Sequence, residues 1–171
     1  MIQIRPEQPA DQDRVHEINE LAFEQPAEAN IVDTLRAACP DALSLVAADT
    51  ADLVGHIFFS PAIITGDQGE LHGMGLAPMA VDPARQRQGI GSLLVEHGLA
   101  ILREQHCPFV IVLGHPEFYP RFGFEPASRY GITCQWDGVP DEAFMVLFPS
   151  GSPAGDCAGR ARYRDEFDEA M

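Results

Sequence analysis

The segment Arg85–Leu94, which reads RQRQGIGSLL, has residue types that suit an anion-binding loop. Gly89 and Gly91 allow the backbone to approach a ligand closely and to adopt dihedral angles that a side chain would forbid. An apolar segment precedes the glycines and an amphipathic one follows them. This order predicts a strand, a tight turn and the start of a helix, whose free N–H groups attract an anion. The chemistry expected here is the binding of a phosphate.

Two common phosphate loops do not match this segment. A P-loop requires a lysine after its last glycine, and this chain has no lysine, because all 11 basic residues are arginine. A dinucleotide-binding fingerprint requires a third glycine, but that position is occupied by Leu94. The remaining design is the simpler one, in which successive backbone N–H groups at a helix start receive the anion.

The net charge of −15 limits the choice of partner. A body this acidic repels polyphosphate chains, so nucleic-acid binding is not expected, whereas a protonated amine would be attracted. Against this background Arg85 and Arg87 form a local positive patch that suits phosphate groups. The alternative is that both arginines are solvated or paired with nearby acids such as Asp82.

The surrounding elements follow from hydrophobic spacing. A short strand is predicted at MIQIRP, then a helix with Val15, Ile18, Leu21 and Ala22 on one face. A second helix is predicted over 27–38, and a strand hairpin with its turn at 49–52. A strand over 70–81, the loop over 85–91, a helix to about His106 and the buried strand FVIVLG come next.

This mixed order predicts an α/β fold of the α+β kind, with helices around one sheet. We expect one domain over 1–148, and a C-terminal tail or an appendage docked by Tyr163 and Phe167 over 149–171. The sequence contains no apolar run long enough to predict a membrane span. The N-terminus does not resemble a signal peptide, so a cytoplasmic protein is expected. The four cysteines are widely spaced and predict neither a metal site nor a redox pair.

Several segments together resemble one family. AVDPARQRQGIGSLLVEHGL resembles the acetyl-CoA-binding segment of the GNAT superfamily of N-acetyltransferases, whose pattern is matched over 86–91. RPEQPADQDRVHEINELAF resembles the opening strand and helix of these enzymes, and VIVLGHPEFYPRFGF resembles a later strand with its aromatic turn. The G-H-P-x-F-Y-P-x-F-G-F pattern and VPDEAFMVL resemble one bacterial branch of the superfamily.

The resemblance implies a GNAT-like fold: a central mixed, mostly antiparallel sheet flanked by helices, with a V-shaped cofactor cleft between two neighbouring parallel strands. It also implies an N-acetyltransferase that moves the acetyl group of acetyl-CoA to a primary amine by direct attack in a ternary complex. The acceptor would be a small molecule or a protein amine, with no metal involved. Homodimers are frequent in the superfamily, so a homodimer is one expected state.

The resemblance further implies roles for individual residues. Met79, Ala80 and Val81 would align the pantetheine arm, and the Val81 N–H would also stabilise the oxyanion. The pyrophosphate would be held by the loop residues Gln86, Arg87, Gln88, Gly89, Ile90, Gly91 and Ser92. Tyr119 would be the general acid that protonates the leaving sulfur.

Some alternatives remain open at this stage. Tyr119 would equally pack in an aromatic cluster with Phe118, Phe122 and Phe124. The general base would be His115, Glu117, Glu70 or His72, or a chain of water molecules. At the level of function, the alternatives are a catalytically silent acyl-CoA-binding sensor or scaffold, and a phosphate-binding protein unrelated to CoA.

Overall fold

Three N-terminal strands form an antiparallel arrangement that follows their alternating apolar residues. In the computed structural model, which describes residues 1–153 and 155–169, β1 (Ile2–Pro6) pairs with β2 (Leu43–Asp49). β2 pairs with β3 (Asp52–Gly66) across a tight turn that places Asp49 opposite Asp52. The predicted first strand and the predicted hairpin are therefore confirmed.

Two helices connect β1 to β2. α1 (Gln12–Phe23) follows a short 3-10 turn, and α2 (Ala27–Ala38) has the predicted bounds. The expectation that Leu21 faces inward is wrong, because its exposed fraction is 46%. Val15, Ile18 and Asn19 are the buried positions of α1. Leu21 lies six positions after Val15, which is well off the helix face defined by spacings of three, four and seven.

The next part of the chain is a strand–loop–helix–strand unit. β4 (Gly69–Val81) leads through the loop into α3 (Ile90–Glu104), and α3 leads into β5 (Val110–Leu113). β5 runs parallel to β4, with Leu76 opposite Val112. The loop was predicted to extend to Gly91, but α3 already begins at Ile90, so Ile90 and Gly91 lie in the first helical turn.

Four short strands follow. β8 (Phe144–Leu147) pairs antiparallel with β5 and with β6 (Glu125–Pro126). Beyond residue 148, β9 (Gly159–Arg162) pairs antiparallel with β3 and parallel with β7 (Ile132–Cys134). The C-terminal segment thus contributes a strand to the sheet.

The described residues group into two compact units. The first contains 1–60, 77–98 and 165–169, and the second contains 61–76 and 99–164, so β3 and β4 each contribute to both. The first unit has the strand order β1-β2-β3, and the second has the order β3-β4-β5-β8-β6. The expected mixed, mostly antiparallel sheet flanked by helices is confirmed. No helix in the described part of the chain is long and apolar enough to span a bilayer.

Each unit has its own apolar core. Fully buried side chains of the first unit come from α1, α2, β3 and α3, and include Val15, Val32, Leu35, Ile57, Phe59 and Leu94. Those of the second unit come mainly from the end of α3 and from β5, and include Leu102, Phe109, Val110 and Ile111. The loop after β4 therefore begins and ends on elements that are anchored in the first core.

Candidate functional site

The loop starts at Asp82, which fixes the direction in which the chain leaves β4. Its backbone N–H donates to the Val54 carbonyl at 2.9 Å. Its carboxylate accepts from the Ala84 N–H at 2.9 Å and from Arg14 Nη2 at 2.6 Å. The hydrogen bond from Ala84 and the guanidinium of Arg14 hold the pKa of Asp82 below its usual value. This carboxylate therefore remains ionised and acts as an anchor.

Two side chains of the loop itself, those of Arg85 and Gln86, bind it to neighbouring strand ends. Arg85 Nη2 donates to Asp49 Oδ2 at 2.8 Å, and Arg85 Nε donates to Gln88 Oε1 at 3.2 Å. Gln86 Nε2 donates to the Val81 carbonyl at 3.1 Å. Gln86 and Gln88, both expected to bind the cofactor, are therefore engaged in bonds within the loop. Gln86 thus supports the backbone at the end of β4 and Gln88 holds the Arg85 side chain, which leaves the backbone N–H groups of the loop as its principal donors.

The loop backbone has the form of an anion cradle. Arg87 and Gly89 adopt left-handed conformations, with φ angles of 63° and 84°. Alternation of this kind turns successive N–H groups toward a common point. The first N–H groups of a helix have no acceptor within the helix, and here Leu93 is the residue whose N–H bonds back to Gly89, at 3.1 Å. The N–H groups of Ile90, Gly91 and Ser92 thus lie before the first hydrogen bond of the helix and have no acceptor within it.

Arg87 is the free cation of this cradle. Its side chain is exposed, and it makes no ion pair or hydrogen bond within the described ranges 1–153 and 155–169. Around Gly89, no heavy atom lies within 4 Å of the position that a Cβ would occupy. An exposed guanidinium beside open space and unpaired N–H groups fits a phosphate or pyrophosphate group well.

The strand residues before the loop have alternating burial. Ala80 is buried, whereas Met79 and Val81 are half-buried. The Val81 carbonyl is already occupied by Gln86. The strand hydrogen bonds expected from Met79, Ala80 and Val81 to a pantetheine arm, and the Val81 N–H as an oxyanion donor, stay predictions.

Tyr119 lies in the second unit, at the start of a 3-10 helix over Tyr119–Phe122. Its ring packs edge-to-face against Phe118 and Phe124, at centroid distances of 5.0 and 5.7 Å. A Cβ at position 114 would lie 2.4 Å from the Tyr119 ring, which accounts for Gly114. The aromatic packing weighed as an alternative to catalysis is therefore present.

The Tyr119 hydroxyl lies in a buried environment that keeps it protonated, and its role as a general acid stays a prediction. The side chain is 6% exposed, and burial raises the pKa of the phenol to about 12. Among the described residues, the unpartnered and fully enclosed side-chain atoms are Asn19 Oδ1, Arg36 Nε and Ser60 Oγ. The Tyr119 hydroxyl is not one of them, and it has no hydrogen-bond partner within the described ranges. It is protonated at neutral pH and free to donate.

The base candidates remain separate exposed side chains. His115, Glu117, Glu70 and His72 are all exposed, and none is hydrogen-bonded through its side chain within the described ranges. The His115 carbonyl accepts from the N–H groups of Phe118 and Tyr119, at 3.1 and 3.3 Å. His115 therefore has a structural part in the turn through its backbone. The described residues contain no group of three or more His, Cys, Asp or Glu side chains that would hold a metal ion.

A buried polar network in the first unit was not predicted from the sequence. His56 is fully buried, and its Nε2 lies 2.9 Å from Ser44 Oγ, which donates to Glu7. Since the Ser44 proton is used on Glu7, His56 Nε2 carries the proton and Nδ1 accepts from Asn19 at 3.1 Å. Burial, with a smaller contribution from the charge of Arg36, lowers the pKa of His56 to about 3.

Comparison with known proteins defines the class to which this site belongs. A family model described as an acetyltransferase (GNAT) domain matches residues 3–127. The chain therefore belongs to the GNAT family and is an acyltransferase, as the motifs predicted.

Two curated relatives each match more than three quarters of the chain. The uncharacterized N-acetyltransferase YhbS of Escherichia coli K12 is 35% identical over 165 residues, which covers 96% of this chain and 97% of that protein. The uncharacterized N-acetyltransferase YjhQ of the same strain is 39% identical over 137 residues, covering 78% of this chain and 75% of that protein.

Solved structures agree with these relatives. The crystal structure of E. coli YhbS in complex with CoA has a TM-score of 0.89 and 34% identity, covering 98% of this chain and 92% of that one. A GNAT family acetyltransferase from Brucella melitensis in complex with acetyl-CoA has a TM-score of 0.80 and 35% identity, covering 98% of this chain and 99% of that one. The GNAT fold of the chain is thereby confirmed.

Proposed function

We propose that this protein is an N-acetyltransferase that moves the acetyl group of acetyl-CoA to a primary amine by direct attack in a ternary complex. The observation that carries the proposal is the anion cradle at the start of α3, with the left-handed Arg87 and Gly89. The relatives crystallised with CoA and acetyl-CoA support acetyl-CoA as the co-substrate. The G-H-P-x-F-Y-P-x-F-G-F segment over 114–124 further supports membership of the bacterial branch that carries it.

The cofactor would be held by two neighbouring parts of the chain. The N–H groups of the loop over 86–92, with the Arg87 guanidinium, would bind the pyrophosphate. The backbone of Met79, Ala80 and Val81 would align the pantetheine arm by strand-like hydrogen bonds. Holding the thioester in an attack geometry supplies much of the rate in reactions of this kind.

The chemical step forms a C–N bond, breaks the C–S bond with its electron pair going to the sulfur, and delivers one proton to that sulfur. The lone pair of the neutral amine attacks the thioester carbonyl, and the Val81 N–H stabilises the oxyanion. The carbonyl re-forms as the C–S bond breaks, and Tyr119 gives its proton to the leaving sulfur. The amine loses its extra proton to water, or to His115 or Glu117. We propose no metal in any step.

The acceptor is a small molecule or an exposed protein amine. The net charge of −15 supports a cationic acceptor, because an acidic body concentrates protonated amines near its surface. Nucleic acid is disfavoured on the same ground. A homodimer is proposed as one state of the enzyme, on the resemblance to the superfamily alone.

The test is calorimetric titration of acetyl-CoA into the native protein and into Gly89→Glu. We expect micromolar binding to the native chain and at least a 100-fold loss in the variant, because the carboxylate repels the pyrophosphate. Gly138→Glu is the matched control: Gly138 has a similar φ of 79°, and the space at its Cβ is also open. The control variant should bind acetyl-CoA as the native chain does.

Three results would change the proposal. Absence of acetyl-CoA binding to the native protein would contradict it. Binding without acetyl transfer to any member of a broad amine panel would favour the alternative of a silent acyl-CoA-binding sensor or scaffold. Stabilisation by nucleotides but not by CoA would favour a phosphate-binding protein of another class.

A further inference from the structure

Tyr163 lies beyond the part of the chain that the family model matches, yet its hydroxyl reaches the parallel strands β4 and β5. It donates to the Leu76 carbonyl at 3.1 Å and lies 3.4 Å from the Ile111 carbonyl. Leu76 belongs to the last paired position of the β4–β5 ladder, opposite Val112. A side-chain hydroxyl therefore serves the backbone carbonyls of both strands where their ladder ends.

The position of the Tyr163 ring is fixed from three sides. A Cβ at position 75 would lie 2.4 Å from Tyr163 Cε1, so only glycine fits beneath the ring. Trp136 stacks on the ring at a centroid distance of 5.7 Å and an interplanar angle of 24°. The Tyr163 N–H donates to Gln135 Oε1 at 2.5 Å. Because these contacts hold the ring in one position, the hydroxyl stays directed at the Leu76 and Ile111 carbonyls.

The Tyr163 hydroxyl is suited to remain a hydrogen-bond donor because it keeps its proton. Tyr163 is 4% exposed, and burial raises the pKa of its phenol far above the neutral range. The phenol is therefore protonated at neutral pH. Its removal would take away the donor that the hydroxyl supplies to the Leu76 carbonyl, which costs more at a buried site than the loss of an exposed hydrogen bond.

We propose that Tyr163 is a positioning residue for acetyl transfer, which fixes the end of the β4–β5 ladder and with it the path of the pantetheine arm. This inference rests on the proposed function, because GNAT enzymes are expected to open their cofactor cleft between these two parallel strands. It assigns the C-terminal segment a part in cofactor geometry. Tyr163 itself touches no reacting atom.

The test compares two ligands and two phenol deletions. Tyr163→Phe keeps the ring over Gly75 but removes the hydroxyl. Its dissociation constant for acetyl-CoA should rise about tenfold, the factor that corresponds to one lost hydrogen bond. Adenosine 3′-phosphate 5′-diphosphate, which has the pyrophosphate of CoA but no pantetheine arm, should bind with unchanged affinity. Tyr130→Phe, which removes a hydroxyl that donates to Glu125 at 3.1 Å, should leave both affinities unchanged.

A merely structural Tyr163 would give another result: a lower melting temperature with unchanged affinity for acetyl-CoA, which would overturn the inference. Equal losses for both ligands would overturn it as well.

If Tyr163→Phe does not fold, Trp136→Leu is used instead, since it removes the stacked ring and keeps the hydroxyl. A selective loss for acetyl-CoA would then support the inference, and unchanged affinity would overturn it. A native protein that binds neither ligand would overturn the proposed function together with this inference, whereas native binding with unchanged variants overturns this inference alone.

Discussion

In the first unit charged side chains join distant segments, whereas in the second unit phenols and aromatic rings do so. Arg14 ties α1 to Asp82 at the start of the loop, and Arg36 ties α2 to Glu7 after β1. All three tyrosines and the single tryptophan of the chain lie in the second unit. There Tyr163 joins β4 to β5 and stacks on Trp136.

This difference predicts different responses to solution conditions. Ion pairs weaken with added salt, and their carboxylates lose charge in acid. Phenols whose pKa values are raised stay neutral and protonated, as for Tyr119, Tyr130 and Tyr163. The first unit, which contains the anion cradle, should therefore respond to pH and salt, and the contacts of Tyr119 and Tyr163 in the second should not.

The largest effect is expected from Tyr119→Phe, where one oxygen atom carries the proposed acid function. Loss of a general acid typically reduces kcat by about 10²- to 10⁴-fold. The dissociation constant for acetyl-CoA should stay unchanged, because the ring packing against Phe118 and Phe124 is kept. Steady-state kinetics with an amine acceptor found by panel screening would measure this, with Tyr130→Phe as control. A kcat within threefold of the native value would leave Tyr119 as a packing residue only.

A smaller effect, on stability, is expected from His56 in the first unit. Its pKa is about 3 in the folded chain and about 6.5 when unfolded. As pH falls, His56 is protonated in the unfolded state before it is protonated in the folded state. The contribution of neutral His56 to the free energy of unfolding is therefore complete above about pH 6.5 and is lost as the pH drops toward 3. The loss is at most about 1.4 kcal/mol per pH unit.

Urea unfolding at pH 7, 6 and 5 would measure this dependence. His56→Gln should be less stable at pH 7 and show a shallower decline in acid. His97→Gln is the control, since His97 is exposed on α3 and its ring nitrogen Nδ1 lies 2.9 Å from the Leu93 carbonyl oxygen of the same helix. Equal slopes for the native protein and His56→Gln would remove His56 as a source of acid sensitivity.

The smallest effect is expected from Arg85→Ala, which removes one anchor of the loop. The pair with Asp49 is screened by solvent, so its loss should disturb the loop only slightly. We expect a two- to fivefold rise in the dissociation constant for acetyl-CoA by calorimetry. Arg129→Ala, which breaks an exposed pair with Glu125, should not change that constant. Matching values for Arg85→Ala and Arg129→Ala would mean that the cradle keeps its shape without this anchor.

Local features of this molecule were predictable from the sequence, and long-range ones were not. The glycine loop, the hairpin turn and the bounds of α2 depend on neighbouring residues such as Gly89 and Pro40. The burial of Asn19 in place of Leu21 depends on His56, which is 37 residues away. Gly73 and Gly75 are required by residues far along the chain, because Phe109 lies against Gly73 and Tyr163 lies against Gly75.

The contact between Tyr163 and Leu76 joins residues 87 positions apart, and the strand β9 just before Tyr163 pairs with β3, which is translated much earlier. This order affects the protein during its synthesis. During synthesis β3 and β4 leave the ribosome long before β9 exists, so Ile63–Thr65 of β3 lacks its β9 neighbour until residues 160–162 are translated. An unpaired strand edge of this kind readily associates with other chains. Nascent chains that stall before residue 159 should therefore be the form most dependent on chaperones.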